Sequence, residues 1–181
     1  MENALSSEQQ KFLLNVAHRA IQYYLDKRKT LKIKTDDAML QEKRGAFVTL
    51  KVDDQLRGCI GYPIPHKPLI ETIIDCAIAA ASQDHRFLSI TTEELSRTDV
   101  EISVLTLPRK IDDISEIKIG NHGIIISKGM SKGLLLPQVA VEWDWDLETY
   151  LNHGCLKAGL PEDSWKKKAK IEIFSAQVFA D

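Results

Sequence analysis

The stretch from Ala46 to Ile60 constrains the fold more than any other. Ala46-Phe47-Val48-Thr49-Leu50-Lys51-Val52 is dense in β-branched and aromatic residues and reads as a strand. Asp53-Asp54 supplies a turn, and Gln55 to Ile60 reads as the returning strand, so the two form a hairpin. Pro63, Pro65 and Pro68 then forbid regular structure and make a stiff loop. Pro68 suits the first position of a helix, which runs from about Leu69 to Ser82. Its alanines, Ala77, Ala79, Ala80 and Ala81, allow that helix to approach a sheet closely.

On either side of this unit the patterning is mixed. Residues 7–28 read as an amphipathic helix, with Phe12, Leu13, Val16, Ala17, Ala20, Ile21 and Tyr24 at spacings of three and four. Ser7 followed by Gln10 fits a capping box. Residues 30–44 lack a period and read as a loop with at most a short helical turn. Asp84-His85-Arg86-Phe87 is a polar turn, Thr91 with Glu94 caps a short helix, and Asp99–Leu107 alternates as a strand. Ile117–Ile119 and Gly123–Ser127 read as strands around the turn cluster Gly120-Asn121-His122. Gly129–Gly133 is a further turn. Helical spacing at Leu147, Tyr150 and Leu151 follows, with Gly154 and Gly159 as helix ends or breaks, and Ala169–Phe179 reads as a closing strand. Irregular alternation of helices and strands, with short turns joining several strand pairs, gives an α+β fold: a mostly antiparallel sheet packed with helices.

Charge and composition exclude little. Lys plus Arg is 24 and Asp plus Glu is 26, a net −2, so bulk electrostatics give no support for coating nucleic acid. The opening MENALSSEQQ lacks a basic segment followed by an apolar run, and the most apolar stretch, Ile73–Ala81, is too short for a membrane span. The expectation is a soluble, cytoplasmic protein. Cys59, Cys76 and Cys155 are odd in number, widely spaced and without a CxxC pair, which fits free thiols.

The run Leu56-Arg57-Gly58-Cys59-Ile60-Gly61 is the most distinctive chemically. Strict alternation puts Arg57 and Cys59 on one face and Leu56 and Ile60 on the other. Gly58 and Gly61 leave room for a backbone or a ligand to come close. A guanidinium beside a thiol favours the thiolate, so Cys59 is either an activated cysteine or a packed structural one with its arginine tied to a carboxylate.

LRGCIG, preceded by Gly45-Ala46-Phe47-Val48-Thr49-Leu50-Lys51, resembles the hallmark of the AMMECR domain family. Further family-like blocks are Ala80-Ala81, Asp84-x-Arg86-Phe87, Glu101-x-Ser103-x-Leu105, Gly120-x-His122-Gly123-Ile124, Leu135-Leu136-Pro137-x-Val139-Ala140 and Cys155-Leu156-Lys157-Ala158-Gly159-Leu160. The resemblance spans about residues 10–178. It implies a single domain over residues 5–181, with a larger and a smaller sub-region, a cleft between them near the RGCIG strand, and both termini on the larger one. It also implies association with Memo-type and radical-SAM proteins, whose bacterial relatives neighbour such domains.

On that reading Cys59, Arg57 and His122 form the catalytic set, as nucleophile, anion clamp and general base. Asp84, Arg86, Glu101 and Ser103 would bind an unknown small molecule, and Asp84 or Glu101 would fix the Arg57 fork. Local turn bracing is the competing account of Asp84, Arg86 and His122. No metal is expected, since His18, His66, His85, His122 and His153 form no ligand spacing, and no cofactor motif is present. The basic runs Lys27–Lys34 and Lys166–Lys170 read as solvated faces, with nucleic-acid binding a lesser alternative. Trp143 and Trp145 flank Asp144 as a core anchor plus a surface residue able to contact a partner. Three functions stay open: an enzyme or enzyme component using Cys59, a non-catalytic module binding Memo-type or radical-SAM partners, and nucleic-acid binding. A homodimer stands among the expected assemblies.

Overall fold

A computed structural model describes residues 4–181, and the chain divides into two compact units. One runs to Leu105 and takes in Gln177–Asp181; the other is Thr106–Ala176. The fold is α+β, with one four-stranded sheet assigned to each unit. Among the described residues, no helix is long and apolar enough to cross a membrane.

The first unit is built on the hairpin. β1 (Ala46–Val52) and β2 (Gln55–Tyr62) pair antiparallel around Asp53 and Asp54, which both take positive φ, 52° and 62°. That double left-handed geometry matches the twist of the strands it joins. β3 (Thr98–Leu105) pairs on the other side of β1, and β8 (Ala176–Ala180) adjoins β3, giving the order β2-β1-β3-β8. Ala46, Val48, Leu50, Val100, Ile102 and Val104 alternate onto one face and are buried.

α3 (Leu69–Ser82) is buried almost all round among the first unit's core residues, and α1 (Ser7–Lys27) packs against α3. α1 starts at Ser7 as expected, but its cap lies one residue earlier than the Ser7 reading. Ser6 is the cap, its hydroxyl accepting from the Gln9 N–H while the Gln9 side chain accepts from the Ser6 N–H. Two overlapping Ser-x-x-Gln frames exist, and only the contacts of the folded turn choose between them. Pro68 likewise sits at the cap (φ −49°, ψ 141°), not in the first turn. The loop at 30–44 contains one turn, α2 (Ala38–Gln41), capped by Asp37, and α4 (Thr92–Leu95) has the Thr91–Glu94 capping box.

The second unit holds the order β4-β7-β5-β6, from Arg109–Ile111, Lys170–Phe174, Gly123–Lys128 and Ser131–Leu135. Pro137 opens α5 (Pro137–Glu142), and α6 (Leu147–Lys157) packs on β5 and β6. Tyr150 on α6 is fully buried and donates its hydroxyl to the Leu136 carbonyl at 3.0 Å; burial raises its pKa. Several elements differ from the sequence expectation, among them β6, which begins at Ser131 inside the segment Gly129–Gly133 expected to be a turn. Ile117–Ile119 is not a strand. Asp113 caps a 3₁₀ turn at Ile114–Glu116, and the Asn121 and His122 N–H groups both fold back on the Lys118 carbonyl, leaving no room for a ladder. The fourth strand is instead Arg109–Ile111, too short and polar to show a period. Gly154 lies inside α6, where a Cβ would come within 2.8 Å of Ile124 and Ile126 side chains, so it permits close packing and ends nothing. The closing segment is two strands, β7 and β8, that belong to different sheets.

Candidate functional site

The register of the hairpin decides what surrounds Cys59. Counting back from the turn pairs Val52 with Gln55 and Lys51 with Leu56, but Leu50 pairs with Gly58 and not with Arg57. Arg57 is the extra residue of a bulge, which breaks the strict alternation assumed from the sequence. Beyond it Gly58 faces the buried side opposite Leu50, while Cys59 pairs with Thr49 on the outer face. Leu56, opposite Lys51, shares that outer face, so Leu56 and Cys59 are together and Arg57 is displaced from both.

The two glycines have intramolecular uses. A Cβ on Gly58 would stand 2.1 Å from the Ala80 carbonyl oxygen, because the alanine-rich helix passes directly over the strand there. A Cβ on Gly61 would overlap the Phe47 ring at 2.1 Å. The space foreseen for a backbone or a ligand is therefore taken by the α3 backbone at one glycine and by an aromatic side chain at the other.

Arg57 is committed. Its guanidinium donates to both carboxylate oxygens of Glu94, at 2.9 and 3.2 Å, and to the Leu88 carbonyl at 2.6 Å. Glu94 also accepts from the Thr91 N–H at 2.9 Å; Arg57 beside it holds its carboxyl below the usual range. The fork partner is thus Glu94, not Asp84 or Glu101. Arg57 fastens β2 to the capped turn of α4, with its planar guanidinium meeting a carboxylate at two points.

Asp84 and Arg86 converge on the cysteine backbone instead. The Asp84 side chain is 2% exposed and accepts from the Arg86 Nε (2.9 Å), the Arg86 Nη2 (2.7 Å) and the Cys59 N–H (2.9 Å). Its carboxyl is held far below the ordinary range, first by Arg86 and against the opposing effect of burial. Arg86 is 48% exposed and is held protonated chiefly by Asp84; its Nη2 also approaches the Cys59 carbonyl at 3.4 Å. The Cys59 Sγ is half-buried and accepts from the Thr49 hydroxyl at 3.2 Å.

Glu101 stands opposite Thr49 in the same cross-strand row and pairs with Lys51 at 3.0 Å; Ser103 stands one row on, opposite Phe47. His122 is in the second unit. Its Nδ1 accepts the Lys118 N–H at 3.2 Å, which places the ring proton of the neutral imidazole on Nε2 and leaves the basic nitrogen already engaged. Thr49, Lys51 and Glu94 are the neighbours the sequence reading did not assign to the site. The Thr91–Glu94 capping signal marked Glu94 as a structural residue, but nothing local linked it to Arg57. Among the described residues no group of three or more His, Cys, Asp or Glu side chains is placed to hold a metal ion.

Comparison with known proteins finds relatives over nearly the whole chain. The sequence model of the AMMECR1 family matches residues 14–179. A protein of Methanopyrus kandleri is 46% identical over 191 aligned residues, covering 100% of this chain and 92% of its own length. A protein of Methanocaldococcus jannaschii is 45% identical, covering 98% of this chain and 92% of its own. The crystal structure of an uncharacterized protein from Pyrococcus horikoshii is similar with a TM-score of 0.78 at 42% identity, over 98% of this chain and 93% of that one.

Proposed function

The chain belongs to the AMMECR1 family, and from that premise we propose that it is an enzyme or enzyme component whose working corner is Cys59, Thr49, Asp84 and Arg86. Arg86 receives an anionic group of a small substrate, and the Cys59 thiol meets the reacting centre. The pathway shared with Memo-type and radical-SAM proteins is part of the proposal. The observation that carries it is the buried Asp84 carboxylate, which holds the Cys59 N–H and the Arg86 guanidinium at once. Asp84 thereby fixes a half-exposed cation relative to a half-buried thiol. Arg86 takes the clamp role first given to Arg57, whose donors are spent on Glu94 and a carbonyl. The Thr49 hydroxyl donates to the sulfur, and the Arg86 guanidinium lies beside the Cys59 carbonyl, so an anionic group held by Arg86 would sit next to the thiol.

Alkylation tests the reading. Cys76 and Cys155 are fully buried, and burial pushes the Cys76 thiol up to about 12 and raises that of Cys155, so neither competes in the native protein. Iodoacetamide at neutral pH is expected to label native Cys59 faster than the same cysteine in urea-unfolded chain, and Arg86→Gln is expected to remove the advantage. A native rate below the unfolded one would refute the role of the thiol.

One observation favours a second reading, a non-catalytic module that binds a Memo-type or radical-SAM partner. Trp143 is 68% exposed and stacks on the half-buried Trp145, centroids 6.3 Å apart, so the surface contact falls to Trp143. On this reading Trp143→Ala abolishes co-purification of such a partner while Cys59→Ser preserves it. The reverse pattern excludes the module.

A further inference from the structure

The second unit carries a hollow of about 580 Å³ that lies apart in sequence from every residue of the proposed corner. It is lined by β4, the turn after it, Trp165, Lys166, Lys168 and Ala169, and the start of β7. Its volume lies within the range of small-molecule sites, about 300–1,000 Å³. Ile111 and Ile171, paired across β4 and β7 and both nearly buried, give it apolar lining. Trp165 adds an aromatic wall, anchored by its indole N–H to the Asn152 side chain at 2.7 Å.

Four lysines line the same hollow, Lys110, Lys166, Lys168 and Lys170, against two carboxylates, Asp112 and Asp113. Asp113 is turned to its own helix turn, accepting from the Ser115 N–H at 2.8 Å. Lys110, Lys166 and Lys170 each hold one carboxylate, Asp112, Glu148 and Glu172. The Lys110–Asp112 and Lys166–Glu148 pairs are exposed and so weakly held, and these two ammonium groups can turn to a stronger anion at small cost. Lys168 is the one lysine of the four without a carboxylate partner among the described residues, and its backbone is left-handed at φ 63°. A long side chain in that conformation is uncommon and marks a position held by its surroundings.

We propose that this hollow binds a phosphorylated small molecule bearing a flat ring. The ring lies against Trp165 and the isoleucines, and the phosphate meets Lys168 with the neighbouring ammonium groups. A polyvalent anion uses several point charges on flexible stems at once, and the aromatic wall distinguishes an organic phosphate from a free ion.

Titration of the full chain with AMP, adenosine and inorganic phosphate, followed by amide NMR shifts, tests this. AMP is expected to shift amides between 110 and 114 and between 165 and 171 saturably. Adenosine and inorganic phosphate are each expected to bind about tenfold more weakly. Lys168→Gly removes the charge while suiting the left-handed backbone, and is expected to weaken AMP about tenfold. Lys110→Ala, on an exposed rim position, gives the same direction should the first variant misfold. Failure of AMP to saturate, inorganic phosphate matching AMP, or unchanged affinity in both lysine variants would overturn the proposal.

Discussion

Gly58→Ala is expected to destabilise the first unit by about 3 kcal/mol or more, at the upper end of what forced overpacking costs. The obstacle is backbone: the added methyl would lie 2.1 Å from the Ala80 carbonyl oxygen and 3.0 Å from its carbon. Neither can rotate away, so β2 and α3 must separate, drawing Ile60 and Tyr62 of β2 off the core to which α3 belongs. Gly61→Ala provides the internal comparison. It meets the Phe47 ring, which can turn, and is expected to cost about 1–2 kcal/mol. Urea denaturation midpoints measure both. A Gly58→Ala midpoint indistinguishable from the parent would show that the helix does not press on the strand.

Asp84→Asn is expected to cost about 2–3 kcal/mol at neutral pH. Breaking a buried ion pair costs about 3–5 kcal/mol, and the half-exposed Arg86 reduces this because water can take up its freed donors. The pH dependence gives a sharper signature. The folded carboxyl titrates far below its ordinary value, so the unfolded state binds the proton first. The stabilisation is complete above the unfolded value, about 4, and is lost as pH falls from there toward the folded value. The stability gap between the parent and Asp84→Asn should therefore be flat from about pH 5 to pH 7 and narrow below about pH 4. A gap that stays constant down to pH 2 would mean the carboxylate charge contributes nothing. If Asp84 also positions the proposed corner, the same variant slows Cys59 alkylation at pH 7 under conditions where it remains folded.

Local chemistry made much of the fold legible. β1 and α3 occupy the residues their composition and flanking prolines indicate, and α4 begins at the box that Thr91 and Glu94 spell out. In each case the signal and the structure it specifies lie within a few residues of one another. The short strand Arg109–Ile111 left no such trace, because three residues, two of them charged, carry no period; its place is set by pairing with Lys170–Phe174 far along the chain. The division of the closing segment between two sheets is also a long-range matter, since β7 and β8 are each held by strands from elsewhere in the sequence.

The site follows the same rule with a sharper consequence. LRGCIG singled out Cys59 of the candidate corner and, with the segment before it and the blocks downstream, the family. Regular alternation, however, would have aligned Arg57 with Cys59 and set Cys59 opposite Val48. One bulged residue pairs Leu50 with Gly58 and Thr49 with Cys59, and so turns the thiol to the outer face. That choice is tertiary: the position over the core had to be the residue without a side chain, because the Ala80 backbone lies against it. The partners followed from the shift, Glu94 for Arg57 and Asp84 for the Cys59 N–H, each brought from more than twenty residues away by packing that no local pattern encodes.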